Sequence, residues 1–121
     1  MITEDYVSFE TAKLLKEKGF DDVCHAFYDK DGIFINLLQF VGNSNFKGVN
    51  EEKITFAPTL QMAIKWLREV HNITISITFE EDNRIYYELK KNGERKVGAA
   101  TPLSYEDVCT EAINLCLKTL I

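Results

Sequence analysis

Apolar side chains recur along the chain with two different periods, and these periods predict helices and strands in alternation. A repeat of three to four residues predicts helices that begin near Ser8, Pro58 and Ser104. A serine there can accept a hydrogen bond from a free amide of the first turn, and a proline lacks an amide that the first turn does not need. Gly19 and Asn72 are typical of residues that end a helix in the left-handed conformation, so we expect the first two helices to stop there.

An alternation of apolar and polar residues with period two predicts strands. It is clearest in 73–79 and again in 85–90, where one face is apolar and the other is polar. Gly32 and the Asn92-Gly93 pair are typical of hairpin turns because these residues adopt a positive φ readily. The segment 33–41 differs from the other strands, because its apolar side chains fall on both faces.

The order of these elements predicts one α+β domain over 1–121. We expect an antiparallel sheet of about five or six strands, with three helices packed mainly on one face, in the order α-β-β-(β)-α-β-β-β-α. The "ITF" at 54–56 could add a short edge strand, and "KVGAA" at 96–100 predicts a weak one. The polar segment 42–53 is predicted to be a flexible loop, and loops often carry function.

The net charge of −5, from 19 acidic and 14 basic residues, argues against direct binding to nucleic acid. The order of elements over 59–120 is that of double-stranded RNA-binding domains, which hold phosphates with lysines at the start of the last helix. Here that position reads "SYEDVCTE", with Glu106 and Asp107. These carboxylates would repel a phosphate backbone, so we interpret the shared order as coincidence.

Membrane insertion and secretion are not expected. No apolar run approaches the roughly 18 residues of a membrane span, and the start "MITEDYVSFE" lacks the features of a signal peptide. The three cysteines, Cys24, Cys109 and Cys116, are odd in number and widely spaced, which is typical of free thiols in a reducing compartment. The sequence therefore predicts a cytoplasmic protein.

The sequence predicts no catalytic residue, no metal ligand and no cofactor. Cys24 and His25 are adjacent, but neighbours on a strand point to opposite faces and cannot form a nucleophile and base pair. Cys109 and Cys116 are predicted to be core residues of the last helix. His71 ends the middle helix, where the helix dipole favours a cation.

The candidate contact residues are Phe34, Leu38, Phe40 and Tyr86. The first three share one side of strand 33–41, and they would join the outer face of Tyr86 if the sheet is continuous. Exposed apolar patches of this size mark contact sites. The sequence predicts that either another protein or a second copy of the chain covers them.

Three segments resemble those of a family of small uncharacterised proteins carried by phages and other mobile elements of gut bacteria. They are "EDYVSFETAKLLKEKGF", "APTLQMAIKWLREVH" and "SYEDVCTEAINLCLKTLI". The resemblance covers about half of the chain and implies a bacterial, intracellular, mobile-element context. It implies no activity and no catalytic residues.

The leading functional hypothesis is therefore a small accessory protein that acts by protein–protein contact and is not an enzyme, with a homodimer as one form of that contact. A second hypothesis is an acidic decoy that occupies a DNA-binding protein. A third is an enzyme whose site forms only on folding, such as His25 with Glu80 or Glu81.

Overall fold

A computed structural model describes residues 4–37, 53–80, 84–100 and 104–121. Within these ranges the chain forms three helices and six strands, which confirms the α+β class. In chain order the elements are α1 (Phe9–Glu17), β1 (Ala26–Tyr28), β2 (Phe34–Asn36), β3 (Thr55–Phe56), α2 (Leu60–His71), β4 (Ile73–Phe79), β5 (Ile85–Lys91), β6 (Glu94–Ala100) and α3 (Tyr105–Thr119). The predicted loop 42–53 lies outside the described residues apart from Lys53.

The six strands form two antiparallel sheets of three strands each, with the orders β2-β1-β3 and β4-β5-β6. The expected single sheet of five or six strands is therefore not confirmed. β3 is only two residues long, and Pro58 follows it closely, so the chain turns into α2 before β3 can extend. The predicted edge strand at 54–56 corresponds to β3.

Each helix begins after a hydroxyl residue that accepts a hydrogen bond from the backbone amide three residues later. These residues are Ser8, Thr59 and Ser104, with distances of 3.2, 3.1 and 3.1 Å. Such a cap satisfies one of the amides that have no partner within the helix. Because Thr59 takes this role, α2 begins at Leu60, and Pro58 precedes the first turn instead of lying in it as the sequence predicted.

The end of α1 is fixed by a glycine turn that returns the chain to the core. Gly19 has a φ of +102°, its amide donates to Lys16, and the amide of Phe20 donates to the carbonyl of Leu15 at 2.9 Å. This pair of bonds is the Schellman motif. It places the Phe20 ring edge-on to Trp66 of α2, with 5.5 Å between the ring centroids.

The second sheet confirms the alternation predicted from the sequence. Ile73, Ile85 and Leu89 are buried, whereas Thr74 and Ser76 are exposed on the outer face. The β5–β6 hairpin turns at Asn92 and Gly93, whose φ values are 52° and 84°. β6 spans seven residues, so it is longer than the weak strand expected at 96–100.

One hydrophobic core joins the helices to the inner face of the second sheet. α2 and α3 both pack on this sheet, and α1 packs against α3. A buried polar contact lies within the α1–α3 packing, where the Thr11 hydroxyl donates to Oδ1 of Asn114 at 2.7 Å. The fully buried aliphatic side chains of the core include Leu15, Leu67, Ile73, Leu89, Ile113 and Leu117.

Candidate functional site

The residues predicted for contact do not share one sheet. Phe34 lies in β2 of the first sheet and Tyr86 lies in β5 of the second, where it is half-buried on the outer face. Leu38 and Phe40 lie outside the described residues. The continuous surface expected from Phe34 to Tyr86 depended on a single sheet, and the separation of the two sheets removes that basis.

The predicted strand 33–41 is also shorter than expected within the described part of the chain. β2 covers only Phe34–Asn36. Leu37 lies beyond the end of the strand, although its amide still donates to the carbonyl of His25 at 2.9 Å. Ile33 precedes the strand and is 59% exposed.

Phe34 belongs to a group of four aromatic rings, which we call the aromatic cluster: Tyr6, Phe9, Tyr28 and Phe34. The ring centroid of Phe34 lies 5.3 Å from that of Tyr6 and 5.4 Å from that of Tyr28. Phe9, at the start of α1, lies 5.3 Å from Tyr28. Tyr6 and Phe9 come from the N-terminal segment, so the fold brings them against rings that lie nineteen or more positions further along the chain.

Hydrogen bonds fix the polar ends of the cluster. Nε2 of His25 lies 2.9 Å from the Tyr6 hydroxyl, and Nδ2 of Asn36 donates to the same hydroxyl at 3.4 Å. The Tyr28 hydroxyl donates to the carbonyl of Val7 at 2.7 Å, and burial raises the pKa of Tyr28. The rings are thus held in place by the chain itself before any partner binds.

The aromatic cluster remains open to water on one side. Phe34 keeps 40% of its surface exposed in spite of its contacts with Tyr6 and Tyr28, and the neighbouring Ile33 is 59% exposed. On the side of α1, the ammonium of Lys13 lies 4.5 Å above the Phe9 ring. The result is a partly exposed apolar surface with hydroxyl and ammonium groups beside it.

Cys24 and His25 do not form a catalytic pair. Cys24 is buried, and burial, followed by the charge of Asp22, raises the pKa of its thiol to about 11. The reactive thiolate is therefore a minor form at neutral pH. His25 is bonded to Tyr6 instead.

The two thiols of α3 are core groups, as predicted. Cys109 and Cys116 are fully buried, and burial raises the pKa of both, to about 11 for Cys116. Among the residues that the structure describes, no three His, Cys, Asp or Glu side chains group as metal ligands. Of the acidic partners considered for His25, Glu80 is exposed after β4 of the other sheet, and Glu81 lies outside the described residues.

Two grooves lie among the described residues. One, of about 420 Å³, runs beside α3 and is lined by Tyr87, Glu111 and Lys118 among others. The other, of about 360 Å³, lies at the end of α1 beside Phe20 and Asp21. Their lining is typical of surface depressions between packed elements.

His71 is not the helix-terminal cation that the sequence predicted. Burial, followed by the charge of Lys91, lowers the pKa of its imidazole. The ring packs edge-on against Trp66 with 4.7 Å between centroids, and its Nε2 is buried without a hydrogen-bond partner in the described part of the chain. These contacts favour the neutral imidazole, and they outweigh the preference of the helix dipole for a cation.

We therefore expect His71 to make folding dependent on pH. An unfolded histidine takes up a proton near pH 6.5, whereas His71 in the folded chain takes one up only at a lower pH. The contribution of His71 to stability is therefore full above pH 6.5 and is lost as the pH falls below it. Thermal unfolding between pH 7.5 and 5.5 should show this loss, and the His71→Gln variant should show a smaller one. An NMR titration that places the His71 pKa at or above 6.5 would contradict this expectation.

Comparison with known proteins identifies no relative. No protein-family model, no curated protein and no solved structure matches the chain. Within the described ranges, no helix has the length and apolar character needed to cross a bilayer.

Proposed function

We propose that this chain is a non-enzymatic accessory protein of the bacterial cytoplasm that binds another protein through the aromatic cluster and Ile33. The observation that carries the proposal is the 40% exposure of Phe34 within a cluster whose other rings and hydroxyls are already held by the chain. The mobile-element context of this proposal comes from the resemblance of the helical segments alone.

The energetics support binding at this surface. Burying a Phe or Ile side chain completely is worth roughly 1.5–3 kcal/mol, so covering the exposed parts of Phe34 and Ile33 is worth about 0.6–1.2 and about 0.9–1.8 kcal/mol, respectively. Aromatic side chains are enriched among the residues that dominate binding at protein interfaces. Because neighbouring rings restrict Phe34 before binding, little side-chain entropy is lost when a partner covers it.

The charge arrangement disfavours direct binding to nucleic acid, because the first turn of α3 carries the exposed Glu106 and Asp107. An acidic decoy would use such carboxylates, although Glu10 and Glu88 are already paired with Lys13 and Arg95 at 3.0 and 2.9 Å. A decoy would bind through carboxylates and not through an apolar side chain, so the response of binding to a substitution at Phe34 distinguishes the two functions.

Affinity capture from a bacterial lysate, followed by binding of the purified captured protein, tests the proposal. The Phe34→Asp variant places a charge in the centre of the apolar surface, and we expect it to weaken binding at least about tenfold, which corresponds to about 1.4 kcal/mol. Circular dichroism of the variant should match that of the original chain, because residue 34 lies at a sheet edge and is partly exposed.

The matched control is Met62→Asp. Met62 is also an exposed apolar residue, at 47%, but it lies in the first turn of α2, where the helix dipole favours a carboxylate. Binding that survives Met62→Asp and is lost with Phe34→Asp supports the proposal. A partner that binds both variants as well as the original chain would show that the aromatic cluster is not the binding surface.

A further inference from the structure

β4 is an edge strand that carries no charge. It reads ITISITF, spans seven residues and pairs only with β5 among the described strands. The opposite edge of the same sheet is β6, which carries Glu94, Arg95 and Lys96. Charged side chains on an edge strand hinder pairing with other chains. The β6 edge of this sheet therefore has that protection, and the β4 edge lacks it.

The register shows which backbone groups of β4 face the open edge. The amide of Glu80 donates to the carbonyl of Arg84 at 2.8 Å, and hydrogen-bonded pairs alternate along an antiparallel ladder. Thr74, Ser76 and Thr78 therefore bond to β5 through Lys90, Glu88 and Tyr86. The amides and carbonyls of Ile75, Ile77 and Phe79 point away from β5.

We propose that two copies of this chain associate by antiparallel pairing of β4 with β4, around a twofold axis at Ser76. This inference concerns a surface other than the aromatic cluster and does not depend on the binding proposed there. In this register each Ile75 faces the second copy's Ile77, and each Thr74 faces the second copy's Thr78. The two sheets would join into one sheet of six strands.

The strand is complementary to itself in polarity, and antiparallel pairing keeps the charges beyond its ends apart. Isoleucines meet isoleucines on the inner face, and threonines meet threonines on the outer face, which are favourable cross-strand pairs. Beyond the strand, antiparallel pairing places the exposed Glu80 opposite the second copy's Asn72. A parallel arrangement would instead bring the two Glu80 carboxylates together.

Phe79 gives the pairing an additional driving force. It lies on the apolar face of β4, but it is 64% exposed although its ring stacks on Tyr105, at 5.8 Å between centroids. Antiparallel pairing sets it opposite the second copy's Ile73, at the start of that strand. The contact of one strand is nevertheless smaller than a standard interface, so we expect a weak, concentration-dependent dimer.

Sedimentation velocity of the full chain, from about 10 µM to about 1 mM, should show a shift from 13.9 kDa toward twice that mass. Ser76→Lys should abolish the shift, because two ammonium groups would face each other across the twofold axis. In the single chain the new lysine lies beside Glu88, its partner on β5, so the fold should tolerate it.

Val97→Lys is the matched control. Val97 is 63% exposed, pairs with the same Glu88 and lies on the opposite edge of the same sheet. The Val97→Lys substitution adds the same charge as Ser76→Lys, next to the same Glu88 carboxylate, and leaves the β4 edge unchanged. We expect this variant to dimerise as the original chain does.

Cysteine crosslinking tests the register. In the proposed dimer the two Ser76 residues form a non-hydrogen-bonded pair, whose short Cα separation suits a disulfide. Ser76→Cys should therefore crosslink on mild oxidation, while the buried native thiols stay reduced. Thr74→Cys alone should not, because its counterpart in the second copy lies about 13 Å away along the strand. A mixture of Thr74→Cys and Thr78→Cys should crosslink.

Each outcome decides the proposal. Loss of the dimer with Ser76→Lys, its retention with Val97→Lys and crosslinking at position 76 support β4 pairing. A chain that stays at 13.9 kDa at every concentration overturns it, as does a dimer that Ser76→Lys leaves intact. A dimer lost with Phe34→Asp but not with Ser76→Lys would assign self-association to the aromatic cluster instead.

Discussion

Phe20→Ala should lower the free energy of unfolding by about 3–5 kcal/mol, the usual effect of removing a buried aromatic ring. Phe20 is only 5% exposed and lies against Trp66, so its ring joins the end of α1 to α2. Alanine leaves a cavity at this junction and removes the apolar contact that accompanies the Gly19 turn. Because Trp66 is the only tryptophan, its emission in the folded state should also shift to longer wavelength.

Phe79→Ala is the control for this effect. It removes the same side chain from a position that is 64% exposed, where the ring stacks on Tyr105. We expect a loss of less than about 1 kcal/mol in chemical denaturation at low protein concentration. Equal losses for the two variants would show that the α1–α2 junction is not part of the core.

Gly98→Ala should destabilise the chain by about 1–3 kcal/mol, the range for overpacking. A Cβ at position 98 would lie 2.1 Å from Cζ of Tyr87, its cross-strand partner on β5. The glycine therefore provides the space in which the Tyr87 ring lies. Without this clash, replacing a strand glycine by alanine would stabilise the chain slightly. A loss of stability therefore indicates the clash with Tyr87, and a gain would show that the site accommodates the methyl group.

A double-mutant cycle isolates the clash. Tyr87→Leu removes the ring atoms that the new methyl group would meet, so Gly98→Ala in that background should change stability by less than about 0.5 kcal/mol. Val97→Ala, at an exposed neighbouring position, should also have a small effect. A full loss in the Tyr87→Leu background would assign the effect to the backbone rather than to the ring.

The parts of the fold that depend on local chemistry could be predicted from the sequence. The Gly19 and Asn72 helix ends, the Ser8 cap and the Asn92-Gly93 hairpin each follow from the preferences of one or two residues. The alternation in 73–79 likewise determines which face of β4 is apolar. These features depend on neighbours within a few positions.

The arrangement of the sheets could not be predicted in the same way. Strand alternation shows which face is buried, but it does not show which strands pair, and the short β1, β2 and β3 form their own sheet. The aromatic cluster was missed for a related reason, because Tyr6 and Phe9 meet Tyr28 and Phe34 only through folding. The local signal in the sequence is the helical spacing of Phe9, Ala12 and Leu15, which places Phe9 on the apolar stripe of the first helix.

The chemistry of individual side chains also depended on tertiary contacts. At the end of α2 the helix dipole favours a charged His71, but burial and Lys91 have the opposite effect and prevail. The weak strand expected at 96–100 contains Gly98, and this glycine provides the space for the Tyr87 ring. In each case the deciding neighbour lies on another element.

Residue-resolved amide hydrogen exchange along β4, at low and high protein concentration, tests most directly whether the open edge of this strand serves for protein contact. In dilute solution the amides of Thr74, Ser76 and Thr78 should be protected, and those of Ile75, Ile77 and Phe79 should exchange rapidly. At high concentration the second set should become protected as the edge pairs. Protection of all six amides in dilute solution, or no change in the second set on concentration, would contradict the account.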